Sequence, residues 1–155
     1  MKKYFFRNYS IILFFKIFIA YLFQAQLMPD SNGYISESEK LFNNMPFRNY
    51  GYPLIIKILS SLFQNWENIL VALQILFSFF TSYYIFYLAL KLQLSKEISL
   101  LIIIIFNFSI LFFLEMCVLP DSIIVNLFAI IICNFIKIYI QKNRFFLIVF
   151  INSIL

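Results

Sequence analysis

Histidine is absent from this chain of 155 residues, and glycine and cysteine occur only twice each. A His-based catalytic triad and a His-ligated zinc site are therefore excluded. Gly33 and Gly51 stand alone, so there is no glycine-rich loop to cradle a phosphate. Two cysteines are too few for the disulfide framework of a small secreted domain. Charge is scarce as well: 12% of residues are charged and 63% are apolar, against about 25% and roughly 45–50% in a soluble domain. So few charges cannot cover a water-facing surface, which excludes a soluble globular enzyme. The net charge of +5 is split among short segments and forms no patch, so no nucleic-acid partner is indicated. What remains is an all-α, multi-pass membrane helix bundle whose partner is the lipid bilayer.

A spanning helix needs about 20 mostly apolar residues to cross a hydrocarbon core of about 30 Å. Four runs qualify: 9–28, 69–90, 98–114 and 122–140. Lys16 falls inside the first and is expected to snorkel to the N-terminal surface. Residues 145–155 form a fifth apolar run, too short to span. A chain ending inside an unfinished hydrophobic helix reads as the N-terminal piece of a longer protein, with a short tail dipping into the membrane as the alternative.

Basic residues in short connections set orientation. Lys2, Lys3 and Arg7, then Lys91 and Lys96, then Lys142 and Arg144 all fall on one side of four spans. That side is read as cytoplasmic, at the plasma (inner) membrane. Asp30, Glu37, Glu39, Glu67, Glu115 and Asp121 fall on the other. Residues 1–25 are long for a signal peptide and no small-x-small cleavage site precedes Pro29, so an uncleaved first span is the better reading. Tyr83, Tyr84 and Tyr87 fit an interfacial aromatic belt.

The loop 29–68 is long for a compact membrane protein and is expected to be structured. Residues 34–42 have helical spacing, with Ser36-x-x-Glu39 as a capping box; Asn43-Asn44-Met45-Pro46 then breaks the pattern. Residues 53–64 form a second helix, opened by Pro53, with Lys57, Ser60, Ser61 and Gln64 along one stripe. Both helices are expected to lie in the membrane interface. Within the spans, Gln74, Ser78 and Ser82 form one polar stripe, and Asn126, Asn134 and Lys137 another. Each should face other helices or a cavity. Cys117 and Cys133 lie too far apart along a straight span to pair and are expected to be free thiols.

Two carboxylates stand where spans meet the outer surface, Asp30 in Met28-Pro29-Asp30-Ser31 and Asp121 in Leu119-Pro120-Asp121-Ser122. Glu115 closes the third span nearby. A carboxylate at that depth suits a general base beside a hydroxyl or a metal. Asp121 equally suits a helix N-cap, and Asp30 an ordinary loop carboxylate. Arg48, the one arginine on that side, suits a phosphate or a lipid head group.

These residues, with Ser38 and the segment Arg48-Asn49-Tyr50-Gly51-Tyr52-Pro53-Leu54, resemble the first outer loop of GT-C membrane glycosyltransferases. The similar branch is that of the dolichyl-phosphate-mannose–protein mannosyltransferases and their bacterial relatives. Its pattern is an Asp just after span one, a Tyr four residues on and a small residue four further, here Asp30, Tyr34 and Ser38. An Arg-x-Pro-Gly-Tyr-Pro-Leu-like segment then opens an interfacial helix, and Tyr50 departs from it. The resemblance runs over roughly residues 10–140. It implies a glycosyltransferase region, residues 1–155, that moves a sugar from a polyprenyl-phosphate donor to a protein, lipid or glycan hydroxyl. Asp30 would be the general base. Asp121 would orient the acceptor or help hold a divalent metal where one is used, with no other cofactor implied. Arg48 would meet the donor phosphate, Tyr34 would shape the pocket, and Glu115 would contribute to substrate binding. Lacking the later spans of that family, this stretch alone is expected to be inactive. A transporter or flippase fragment and a non-enzymatic membrane subunit are the competing readings.

Overall fold

Apolar runs without an internal glycine or proline keep their backbone hydrogen bonds and grow into long helices. A computed structural model describes residues 2–41 and 51–154, with side chains over 4–41 and 51–139. The described chain is all-helical: α1 (Lys2–Phe23), α2 (Pro29–Glu39), α3 (Gly51–Leu62), α4 (Trp66–Lys91), α5 (Lys96–Asn107), α6 (Ile110–Glu115) and α7 (Asp121–Ile154). Three helices are long and apolar enough to cross a membrane, over Tyr4–Phe23, Trp66–Lys91 and Asp121–Tyr139. Their outward faces carry exposed Phe14, Leu76, Phe80, Phe128 and Phe135, as lipid-facing surfaces do. The protein is membrane-associated.

Helix α4 is the axis of the bundle and packs against α1, α3, α5, α6 and α7. At one end Phe5, Tyr9, Phe86 and Ile103 form a buried aromatic and aliphatic cluster. Lys96 and Arg7 both lie against the Tyr4 ring there, so the basic start of α1 and the α4–α5 turn share that end. At the other end Tyr52, Ile56 and Leu59 of α3 pack on Leu70 of α4 and on Val118.

Three expectations are corrected. Helix α1 runs from Lys2 to Phe23 rather than 9–28, because Gln24 turns into the left-handed region (φ 54°). The chain beyond it pairs as extended backbone with the segment before α7: the Gln26 N–H donates to Met116 O at 2.8 Å, and the Val118 N–H to Gln26 O at 3.0 Å. The run 98–114 is not one span. It breaks between α5 and α6, where the Ser109 side chain accepts from the Leu111 N–H and caps the new helix. Residues 122–140 and 145–154 are not separate, since α7 continues through Ile154. Nothing in Gln141-Lys142-Asn143-Arg144 is a strong helix breaker. Near the C-terminal end of α4, Tyr83 packs against Phe5 and Tyr84 donates to Asn134 Oδ1 at 2.7 Å; both are half-buried, and Tyr87 is exposed.

The largest correction concerns Lys16. It lies fourteen residues into α1, too deep to reach the surface at Lys2. Its ammonium is fully buried and ion-paired to a fully buried Glu115, 2.6 Å from Oε2 and 2.9 Å from Oε1. It also donates to Asn107 Oδ1 at 2.8 Å and to Ser78 Oγ at 3.3 Å. Tyr9 donates to the same Asn107 oxygen at 3.0 Å, while Asn107 Nδ2 donates to Ser82 Oγ and to Ile103 O, both at 2.8 Å. The stripe Gln74, Ser78, Ser82 thus faces other helices, as expected, and Asn107 turns its side chain into this network at the point where α5 stops. Replacing one member of the pair strands a buried charge, so Lys16→Met or Glu115→Leu should each lower stability by about 3–5 kcal/mol, and the double variant should recover most of the loss. Reversible unfolding in mixed micelles measures this; additive losses in the double variant would contradict the pairing.

Candidate functional site

The end of the bundle that carries α2 and α3 collects most of the sequence-predicted residues. Helix α2 starts at Pro29, not near Tyr34, so Ser36 is not its cap. Instead the Met28 N–H donates to Ser31 Oγ at 2.9 Å and the Ser31 N–H returns to Met28 O at 2.9 Å. Pro29 opens the helix without needing an N–H partner. Asp30 therefore sits exposed in the first turn of α2, where the helix dipole favours a negative charge by about 0.3–1 kcal/mol. Tyr34 follows one turn later on the same face. Ser38 is buried, its hydroxyl donating to Ile35 O at 2.6 Å.

Tyr52, in the first turn of α3, joins this helix to the rest. Its ring meets the Tyr34 ring edge-on, with centroids 5.3 Å apart and planes at 81°. Its hydroxyl accepts from Gln74 Nε2 at 3.4 Å, and the same amide donates to Leu119 O at 3.3 Å. Burial pushes the Tyr52 hydroxyl pKa well above the ordinary tyrosine value, with a smaller opposing effect from the Gln74 amide. The phenol therefore stays protonated. The Asp121 charge reaches both Tyr52 and Cys117, which places Tyr34, Tyr52, Gln74, Cys117 and Asp121 in one neighbourhood.

Asp121 is the first residue of α7 and is exposed. It is not the N-cap, because Pro120 O already accepts the Ile124 N–H at 3.0 Å. Beneath it, Ser122 and Asn126 are buried on α7. Ser122 Oγ, Asn126 Oδ1 and Gln74 Oε1 have no hydrogen-bond partner among the described residues. Tyr84 bonds Asn134, and Gln74 bonds Leu119 O, so α4 and α7 run parallel. Cys117 is buried and free, as is Cys133. Burial, and secondarily Asp121, raises the Cys117 thiol pKa and makes it a poor nucleophile.

The other predicted residues lie elsewhere. Glu115 is fully buried in its ion pair with Lys16 and does not line the exposed surface with Asp30 and Asp121. It acts on that surface through the chain that follows it, Met116–Val118, which Gln26 holds by two backbone hydrogen bonds. Arg48 lies outside the described residues. Among the described residues no group of three or more His, Cys, Asp or Glu side chains gathers as a metal site. Sequence reasoning missed the partnership of Lys16 and Glu115 and the part played by Asn107. The available signal was energetic: an ionisable side chain inside an apolar run requires a buried partner. No protein-family model, curated protein or solved structure gives a significant match to this chain.

Tyr52 should be the packing anchor of this end through its ring more than its hydroxyl. Tyr52→Ala is expected to cost about 3–5 kcal/mol, and Tyr52→Phe about 0.5–1.5 kcal/mol, in thermal or denaturant unfolding. Equal costs for the two would show that the hydroxyl dominates.

Proposed function

We propose that this chain forms the base-bearing region of a membrane glycosyltransferase that uses a polyprenyl-phosphate-sugar donor. The observation that carries this reading is the arrangement around α2. An exposed carboxylate opens a short helix that follows a membrane-length helix after a five-residue connection, and one turn on Tyr34 packs edge-on against Tyr52 of the next short helix. That arrangement fits the Asp-x-x-x-Tyr and Gly-Tyr-Pro pattern of the resemblance. Asp30 would accept the proton of an acceptor hydroxyl as its oxygen attacks the anomeric carbon. The bond from that carbon to the donor phosphate breaks, and polyprenyl phosphate leaves with the electron pair. Asp121 would orient the acceptor, Tyr34 would wall the pocket, and Arg48 would meet the donor phosphate. Glu115 is a positioning residue on this reading. A divalent metal is compatible with the two carboxylates but no step requires it.

Helix α3 supports an interfacial position for this end. At about 100° per residue, its buried face (Tyr52, Ile56, Leu59), its exposed apolar face (Leu54, Ile58, Leu62) and its polar face (Lys57, Ser60, Ser61) lie about 120° apart. A helix with separate protein, lipid and water faces fits the boundary of a bilayer. The basic residues at the opposite end support a cytoplasmic N-terminus, with α2–α3 on the extracytoplasmic face on this reading.

A second reading is favoured by one specific feature. The break between α5 and α6 beside a buried ion pair resembles the discontinuous helices of transporters, whose substrate sites form at such breaks. Substrate movement across the membrane without sugar transfer would support it.

Asp30→Asn, tested in the protein in its native membranes, is expected to reduce transfer from a polyprenyl-phosphate sugar by about 10²–10⁴-fold, the contribution of a general base, without loss of the folded protein. Asp121→Asn should reduce it less. Full activity of Asp30→Asn would remove Asp30 as the base.

A further inference from the structure

Helices α1 and α4 leave a half-open groove of about 560 Å³ between them. Its walls are apolar, with Ile17 and Leu76 at its rims and the small side chains of Ala20 and Ala72 giving it depth. Both flanking helices are long and apolar enough to cross a membrane, so the groove opens to hydrocarbon rather than to water. Polar side chains stand towards one end only, where α1 stops: Tyr21, Gln24 and Asn68. Asn68 Oδ1 accepts the Ala25 N–H at 3.0 Å, which commits the amide oxygen and turns its NH₂ to donation. No charged side chain lines the groove.

Length identifies the occupant. From Leu13 to Gln24, both lining residues, α1 rises about 16 Å, close to half of a hydrocarbon core of about 30 Å and therefore close to one leaflet. We propose that the groove seats one acyl chain of a glycerophospholipid, with its ester carbonyl at the Gln24 and Asn68 amides. The neutral mouth suits an ester and offers no cation for a phosphate, and one leaflet's depth is too short for a long polyprenyl chain. This site is therefore separate from the donor site of the proposed function and does not depend on it.

The experiment uses the chain in bilayers of phosphatidylcholine that carries a photoactivatable diazirine midway along one acyl chain. After irradiation and digestion, mass spectrometry locates the adducts. They are expected to concentrate on the stretches 13–20 and 72–76. Ala20→Phe and Ala72→Phe, which fill the groove, should each reduce those adducts several-fold and leave those on the outer face of α7 unchanged, which also reports that the bundle is intact. Adducts spread evenly over all lipid-facing helices would overturn the proposal. So would wild-type protection of the groove, which would mean that a second copy or another helix covers it. The wild-type distribution decides the matter by itself if neither variant folds.

Discussion

The fold depends on satisfying one positive charge deep in an apolar bundle. Burying an ion in a protein interior costs several kcal/mol even after relaxation, and Lys16 is fully buried. Glu115 neutralises it and engages it through both carboxylate oxygens, while Asn107 Oδ1 and Ser78 Oγ complete a ring of acceptors around its three N–H donors. A pair that must be made this completely fixes depth and rotation. It sets α1 against α4, because Ser78 belongs to α4, and it sets α6 against both. The end of α5 follows, since Asn107 can serve the network only with its side chain turned inward.

The consequences extend to the surface. Glu115 is the last residue of α6, and the next three residues run alongside Gln26. Gln26 is four residues before Asp30, and Val118 three before Asp121. The buried pair thus controls how the starts of α2 and α7 are presented at the same end of the molecule. Tyr52 closes the arrangement by bridging from Tyr34 to Gln74. Asp30 and Asp121 are exposed, whereas Glu115, Val118, Tyr52 and Gln74 behind them are buried. That division suits chemistry on ligands arriving from outside the bundle.

Much of this was legible in the sequence where local physics decides. Helix α4, read as 69–90 and found at Trp66–Lys91, has a long apolar run and no breaker. Pro53 and the apolar spacing after it pointed to α3, and the polar stripe of α4 was correctly turned inward. Failures came where a distant partner decides. Hydropathy continues past Phe23, but α1 stops because Gln26 pairs with residues some ninety positions away. The 98–114 run contains neither glycine nor proline, yet Asn107 and Ser109 end one helix and begin another once Lys16 and the Leu111 N–H claim their side chains. Lys16 itself was legible as costly, while its partner was not. At the candidate site, Asp30, Tyr34 and Asp121 could be singled out from their places beside apolar runs and from the resemblance. Buried Ser122 carried no local signal at all.

The measurement that bears most directly on this account is the distance between the Lys16 ammonium nitrogen and the Glu115 carboxyl carbon in lipid bilayers. Solid-state NMR with ¹⁵N-lysine and ¹³C-glutamate labels reads it through dipolar recoupling. The account predicts strong coupling between these two sites, as hydrogen bonds to both carboxylate oxygens require, with the lysine resonance shielded from exchange with bulk water. Absence of that coupling, with a lysine resonance in rapid exchange with water, would place Lys16 at the membrane surface and contradict the account.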